Sequence, residues 1–308
     1  MKIVSVINIK GGVGKTTLTA NLGAYSASQG KRVLMIDLDS QASLTFSFID
    51  PEYWRVKYAD TKTIKNFFYP IIKYAEEIPS LSSLAIPLNF GNMFLKDNET
   101  LHMISSHLDM IDIDVFLAST INVQADLIRA STYLKTYSHL KRALKNENGN
   151  YDLILIDCPP NFGASVMNAI AASDYYIVPA KLDYLSALGV NNLDVKIDSF
   201  MKEYNRLADE LQDARYNHLN ISMLGIVPMM VNIQKGNEMI AAQEEYHGEF
   251  SAKGYHIFQF VRNNATVFGP SPKEGVPAVL TRPKIFTLTA RKIVSELQNL
   301  GAEFFAIN

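Results

Sequence analysis

The chain has 308 residues, 48% of them hydrophobic and 19% charged, a composition that supports a large core and argues against intrinsic disorder. Its 29 basic and 31 acidic side chains leave a formal charge of −2, so no whole-molecule field draws in nucleic acid and any such binding must come from a local patch. The single cysteine, Cys158, excludes an internal disulfide, a four-cysteine zinc site and a four-thiolate iron–sulfur site within one chain. No apolar run reaches the roughly 18 residues of a membrane span, and the apolar N-terminus is too short for a signal peptide, so a cytoplasmic protein is expected.

Residues 2–9 (KIVSVINI) predict a buried strand. Gly11, Gly12 and Gly14 follow at once. A helical pattern then runs from Lys15 to about Gln29, with Leu18 and Leu22 on one face and Gly30 at the position of a C-terminal cap. Residues 32–36 (RVLMI) predict a second strand, ending in Asp37. From Pro51 to Asn150 the chain is rich in aromatic residues and reads as mostly helical and irregular. Strands are expected again at 153–156, ending in Asp157, and at 175–179, 223–230 and 255–261. Helices are expected from near Ala164 and at about 190–213, 236–252 and 284–300. Strands alternating with helices predict an α/β fold, a mostly parallel twisted sheet with helices on both faces. With no repeat and no low-complexity linker, one elaborated domain over 1–308 is expected.

The chemistry lies in Lys10-Gly11-Gly12-Val13-Gly14-Lys15-Thr16-Thr17, between the first strand and the first helix. Glycines let backbone N–H groups converge on phosphate oxygens, and the helix N-terminus adds partial positive charge. Lys15 can reach β- and γ-phosphates, the Thr16 hydroxyl can bind Mg²⁺, and Thr17 can donate to an earlier phosphate. The strict pattern GxxxxGK[ST] needs a glycine where Ile9 stands. A dinucleotide fingerprint GxGxxG, with Asp37 as the ribose acid, needs a third glycine where Thr17 stands, and a lysine at the turn suits a triphosphate better. Asp157, at the end of LILI, fits a carboxylate holding Mg²⁺ or its waters, or else a turn cap. Asp37 and Asp39, two residues apart at a strand end, fit a segment that holds metal and water, or a capping turn.

KGGVGKTT, DLDSQAS and LILIDCPPNFG together resemble the deviant Walker-A ATPases of the ParA/MinD family, closely over 1–45 and 151–190 and loosely over the C-terminal third. The mark of that family is the extra lysine at the start of the loop, here Lys10, which reaches the phosphates of a partner subunit. The resemblance therefore implies ATP and Mg²⁺ as cofactors, an ATP-dependent homodimer enclosing two nucleotides, and slow hydrolysis with a water positioned near Asp39. It makes Asn232, in MVN (230–232), a candidate base contact, and Arg262, which with Asn263 is retained from the PRN segment, a candidate cofactor-binding residue. Ser40 stands where the family has its switch proline, and Gly269-Pro270-Ser271 keeps only the tail of the EAPS element. The long spacing from Asp39 to Asp157 points to an insertion at about 51–149, a place for contact with a dedicated partner or for ordinary helical packing.

Within that family, ParA-like members bind DNA non-specifically and move plasmids, chromosomes or protein cargo, reset by an adaptor such as a ParB-like protein. MinD-like members bind membrane through a C-terminal amphipathic helix. Residues 281–292 carry Arg282, Lys284, Arg291 and Lys292 and no acid; residues 131–145 carry Lys135, Lys141, Arg142 and Lys145 and no acid. Either patch can be a solvated helix face, or a salt-sensitive phosphate contact doubled in a dimer. The 285–300 stretch lacks the flanking cations of a membrane-binding helix and is expected to pack on the sheet. A DNA-partitioning ATPase is the first expectation and a membrane- or partner-regulated scaffold the second. A metabolic ligase on the same fold has no sequence feature in its favour. One cysteine also speaks against the cluster-carrying relatives, which bridge a dimer with paired thiols.

Overall fold

A computed structural model describes residues 1–72, 80–88, 101–123, 126–234, 238–263, 268, 275–281 and 288–307. Its strands are β1 (Lys2–Val6), β2 (Val33–Asp37), β3 (Ile86–Pro87), β4 (Leu101–Ile104), β5 (Leu153–Asp157), β6 (Tyr175–Ala180), β7 (Ser222–Val231) and β8 (Val261–Arg262). They form one sheet in the order β3-β4-β2-β5-β1-β6-β7-β8, parallel throughout except for the β3–β4 pair. The helices are α1 (Lys15–Ser28), α2 (Ser43–Phe46), α3 (Pro51–Lys57), α4 (Ile64–Ile72), α5 (Met110–Ser119), α6 (Asp126–Tyr137), α7 (His139–Lys145), α8 (Ala164–Ala172), α9 (Tyr184–Leu211), α10 (Ala241–Ala252) and α11 (Leu288–Ile307). The expected α/β architecture is the observed one.

The apolar runs are continuous because the central strands are buried on both faces. Val4, Val6, Met35 and Leu155 point to one side, where Leu18 and Leu22 of α1 and Ile293, Leu297 and Phe304 of α11 cover them. Ile3, Leu34, Ile36, Ile154 and Ile156 point to the other, under α4 to α9. Each such large side chain contributes about 1.5–3 kcal/mol on leaving water.

Four expectations are corrected. The stretch 51–149, read as helical and irregular, supplies β3 and β4 to the same sheet. LHMI is too short, with a polar second residue, to announce a strand by periodicity. The strand expected at 255–261 pairs only at Val261–Arg262, plus one bridge from Ile257 to Ile226. The last helix runs to Ile307, beyond the expected end at about 300, and positions 284–287 of the expected range lie outside the described residues. Helix α9 also starts earlier than expected, at Tyr184, because Asp183 caps it by accepting a hydrogen bond from the Ser186 N–H at 2.8 Å.

Two features of register position the site. Asp37 pairs with Asp157, and Asp157 with Val6, so the C-terminal ends of β2, β5 and β1 lie side by side. Ligands of open parallel sheets bind at that end. Beyond β6 the register with β7 shifts between Tyr176 and Ile177, at Gly225, whose φ of +151° suits glycine.

Candidate functional site

The loop leaving β1 is fixed at its start by Asn8. Its amide donates to the Pro179 carbonyl at 2.8 Å, and its Oδ1 accepts from the Lys10 N–H at 2.9 Å. The loop then turns through Gly12 (φ +67°) and Gly14 (φ +93°), left-handed positions that an L side chain would strain. At Gly14 a Cβ would also stand 2.7 Å from the Met229 methyl. The turn opens α1 with its first N–H groups toward a cavity of about 560 Å³. Gly11 through Thr17 line it, with Asp39, Gln41 and Pro160 among the facing residues. Within that run Val13 is fully buried and anchors the loop in the core.

Lys15 is 7% exposed, and its Nζ donates to the carbonyls of Asn8 at 3.0 Å and Lys10 at 3.3 Å. Burial lowers its pKa, and the nearby Asp157 charge opposes that shift. Asp157 accepts from Thr16 Oγ1 at 2.8 Å and from Thr19 Oγ1 at 3.1 Å. Asp37 accepts from the Thr45 N–H at 2.9 Å, Thr45 Oγ1 at 2.8 Å and the Asp39 N–H at 3.1 Å. Burial pushes both carboxyls up. The Asp157 charge raises Asp37 further, and hydrogen bonds from Thr16 and Thr19 offset part of the rise at Asp157. Asp39 holds a turn, its Oδ1 accepting from the Gln41 N–H at 3.0 Å and its carbonyl from the Ala42 N–H at 2.8 Å. Cys158 is buried behind Asp157, and burial pushes its thiol up, away from thiolate chemistry.

These residues fit a Mg²⁺–nucleotide. Two buried carboxyls side by side carry more negative charge than their surroundings favour, and a divalent cation offsets it. Thr16 already stands on Asp157, the pairing needed to hold a metal between hydroxyl and carboxylate. The Lys15 ammonium, turned onto its own loop's carbonyls, has donors for phosphate oxygens. Among the described residues no group of three or more His, Cys, Asp or Glu could hold a metal without such help.

Lys10 does not line this cavity. Its Nζ lies 3.0 Å from both carboxylate oxygens of Asp183 and from Ser186 Oγ, at the start of α9. Burial pushes Asp183 up, but the hydrogen bonds from Lys10 and Ser186 outweigh it and hold the carboxyl below its ordinary value. Asn232 and Arg262 sit elsewhere, in a cavity of about 410 Å³ that they share with Lys292. The Asn232 N–H donates to Gln243 Oε1 at 2.9 Å, and Arg262 pairs with Glu296, its Nε at 2.7 Å. Asn263 lines the same cavity, while Gly269-Pro270-Ser271 lies outside the described residues.

Sequence reasoning missed Asn8, Thr19, Thr45, Asp183 and Ser186. Thr19 lies one turn after Thr16, which was a usable signal. Asp183 carried a capping signal before α9, but nothing linked it to Lys10, which lies 173 positions away.

A family model described as an AAA domain matches residues 1–209. The sporulation initiation inhibitor protein Soj of Bacillus subtilis is 28% identical over 286 residues, 92% of each chain. The chain belongs to the ParA/MinD family of P-loop ATPases. As a member of that family the chain carries an ATPase site. Among solved structures of the same fold, apo McdA of Cyanothece has a TM-score of 0.70 at 18% identity, covering 99% of both chains. A putative plasmid partition protein of Borrelia burgdorferi bound to AMPPNP has 0.63 at 20%, covering 99% of this chain and 98% of that one. Within the family, the Lys10–Asp183 contact is where this chain holds the signature lysine.

Proposed function

We propose that this ATPase is a ParA-like partition switch, which forms an ATP-dependent homodimer, binds DNA without sequence preference and positions a plasmid, chromosome or protein cargo. Bound Mg²⁺–ATP supplies the phosphoanhydride to be hydrolysed. Lys15 and the N–H groups of residues 11–17 hold its phosphates; Thr16, Asp157 and Asp37 hold the metal; and Asp39, at the cavity rim, orients the attacking water. The single observation that carries the dimer is Lys10. A loop lysine that faces away from its own cavity, onto Asp183, supports a role at another subunit's nucleotide, as an added cation serves phosphoryl transfer. Tyr184, Leu185 and Leu188 expose apolar surface beside it on α9, which a partner copy would cover.

The two basic patches lie on opposite faces of the sheet. Arg291 and Lys292 are exposed on α11, whereas Arg282 and Lys284 lie outside the described residues. On α6 and α7, Lys135 and Lys145 are exposed but Lys141 and Arg142 are half-buried. We assign DNA to the α11 side, where both described cations are free to reach phosphates. The second reading, a membrane-bound scaffold, is weakened because the apolar face of α11 is already used: Ile293, Leu297, Leu300 and Phe304 are buried in the core. No described helix is long and apolar enough to cross a membrane. A reset partner of the ParB-like or cargo-adaptor kind belongs to the same proposal.

The deciding experiment measures dimerisation and DNA retention with and without Mg²⁺–ATP, in the wild type and in Lys10→Ala. The wild type should dimerise and retain DNA at low salt only with ATP, and Lys10→Ala should do neither while still binding nucleotide. A Lys10→Ala protein that dimerises and hydrolyses like the wild type overturns the cross-subunit role.

A further inference from the structure

Asn21 joins two segments that are far apart in the chain. It lies on α1, one turn beyond Thr17, and is 5% exposed. Its Nδ2 donates to the Thr17 carbonyl at 2.8 Å, and its Oδ1 accepts from the Val279 N–H at 2.9 Å, across 258 positions. Both polar atoms of the amide are used, which fixes its orientation. Val279 belongs to a 3₁₀ turn, Ala278–Leu280, and both Ala278 and Val279 are buried on the side of the core that holds α1 and α11. Four residues before Val279 the same segment is seated a second time. Gly275 turns with a φ of +65°, and a Cβ there would stand 3.3 Å from the Phe48 carbonyl oxygen. Both seats adjoin the nucleotide cavity. Thr17 and Ser47 line it; Asn21 follows the first by one turn, and Phe48 follows the second directly. None of residues 275–281 is among the described residues that line it.

We propose that Asn21 is a positioning residue of the nucleotide site: it fastens residues 275–281 to α1 as a strap, which sets the spacing between the phosphate loop and α2. The proposal rests on the cavity of about 560 Å³ being the nucleotide site. A site keeps its geometry when its walls are held by groups that packing and hydrogen bonds themselves fix. Thr16 and Thr17 stand on one wall, at the start of α1; Ser43, Phe46 and Ser47 stand on another, on α2 and just after it. Asn21 carries the strap's hydrogen bond on the first wall, and the close approach of Gly275 to Phe48 seats it on the second. A leucine at position 21 has the same branched shape but no amide, and it leaves the buried Val279 N–H without a partner. An alanine at position 275 strains the turn and pushes the strap off Phe48. The spacing needs both seats, so loss of either releases the strap.

The test is a double-mutant cycle on the full chain, with Asn21→Leu, Gly275→Ala and the pair. A fluorescent ATP analogue with Mg²⁺ is followed at equilibrium and by stopped flow, and urea midpoints without nucleotide are measured in parallel. Each single variant should bind about ten-fold more weakly, mainly through faster dissociation. The pair should be about as weak as either alone, because one lost seat already frees the strap. Lys15→Ala, which acts on the cavity directly, should abolish binding. Loss of binding in Lys15→Ala with wild-type affinity and dissociation rate in Asn21→Leu overturns the strap and leaves the cavity reading standing, even if the urea midpoint of Asn21→Leu falls. Wild-type binding in Lys15→Ala removes the cavity reading and the strap with it. Losses that multiply in the paired variant also overturn the strap, since independent defects add in free energy. If the pair does not fold, the single variants decide: wild-type dissociation rates in both overturn the proposal.

Discussion

Thr45 shows how much of the nucleotide site is held from behind. It is fully buried, gives Asp37 two hydrogen bonds, and accepts a third on its own Oγ1 from the Ser106 N–H at 3.0 Å. The hydroxyl therefore fixes one Asp37 oxygen while tying α2 to the end of β4. Groups that orient a metal-binding carboxylate commonly affect metal affinity by about 10–100-fold. Thr45→Val should thus weaken Mg²⁺–nucleotide binding by about ten-fold, leaving nucleotide binding without metal nearly unchanged, and Thr45→Ser should restore it. Titration of a fluorescent nucleotide with and without Mg²⁺ reads both. Equal Mg²⁺ dependence in wild type and Thr45→Val would show that Asp37 does not need this support. Thr16→Ala should lose more, since it removes the proposed metal ligand as well as the 2.8 Å contact to Asp157.

Among the elements, β7 and α7 each carry a testable constraint. Gly225 holds a φ of +151° at the register shift, and a Cβ there would come within 2.4 Å of the His256 carbonyl oxygen. Backbone cannot swing aside as a side-chain tip does, so Gly225→Ala should cost at least about 2 kcal/mol, read from the urea midpoint. A midpoint within error of the wild type would mean that the strand relaxes. His139 opens α7 with its pKa pushed down to about 4 by burial and by the Arg142 and Lys135 charges. The unfolded chain, with a histidine of about 6.5, binds the proton first. Stability from this residue is therefore complete above about pH 6.5 and falls as pH drops toward 4, by about 2 kcal/mol between pH 7 and pH 5. His139→Phe should flatten that part of the pH profile in urea titrations; an unchanged slope would assign the loss to other groups.

These elements also show what was readable in advance. The central strands and α1 were legible because burial on both faces and a glycine-rich turn leave strong local marks. The edge was not. Strand β4 has four residues, and its strand character comes from pairing with β2 and β3, which no local pattern encodes. The site divides in the same way. Gly11 to Thr17, Asp37 and Asp157 are read from spacing, whereas Asn8, Thr45 and Asp183 matter through partners between 8 and 173 positions away.

At the scale of the whole molecule, the charge balance constrains the proposed DNA binding. A chain of formal charge −2 makes a dimer of −4, so attraction must come from a few cations placed together, and only while two subunits present them at once. Arg291 and Lys292 give four such charges per dimer on the α11 side. If each releases one counterion, the slope of log affinity against log salt should become shallower by about 3–4 in Arg291→Ala/Lys292→Ala, from roughly 0.9 per phosphate contact. The paired change Lys135→Ala/Lys145→Ala, on the opposite sheet face, should leave the slope near the wild-type value. Both variants should retain ATP-dependent dimerisation, because none of these four residues is among those lining the nucleotide cavity or contacting Lys10. DNA retention measured across a salt series with Mg²⁺–ATP separates the possibilities. A slope altered only by the α6–α7 pair would move the DNA surface to the other face, and a slope altered by neither would remove both patches from DNA binding.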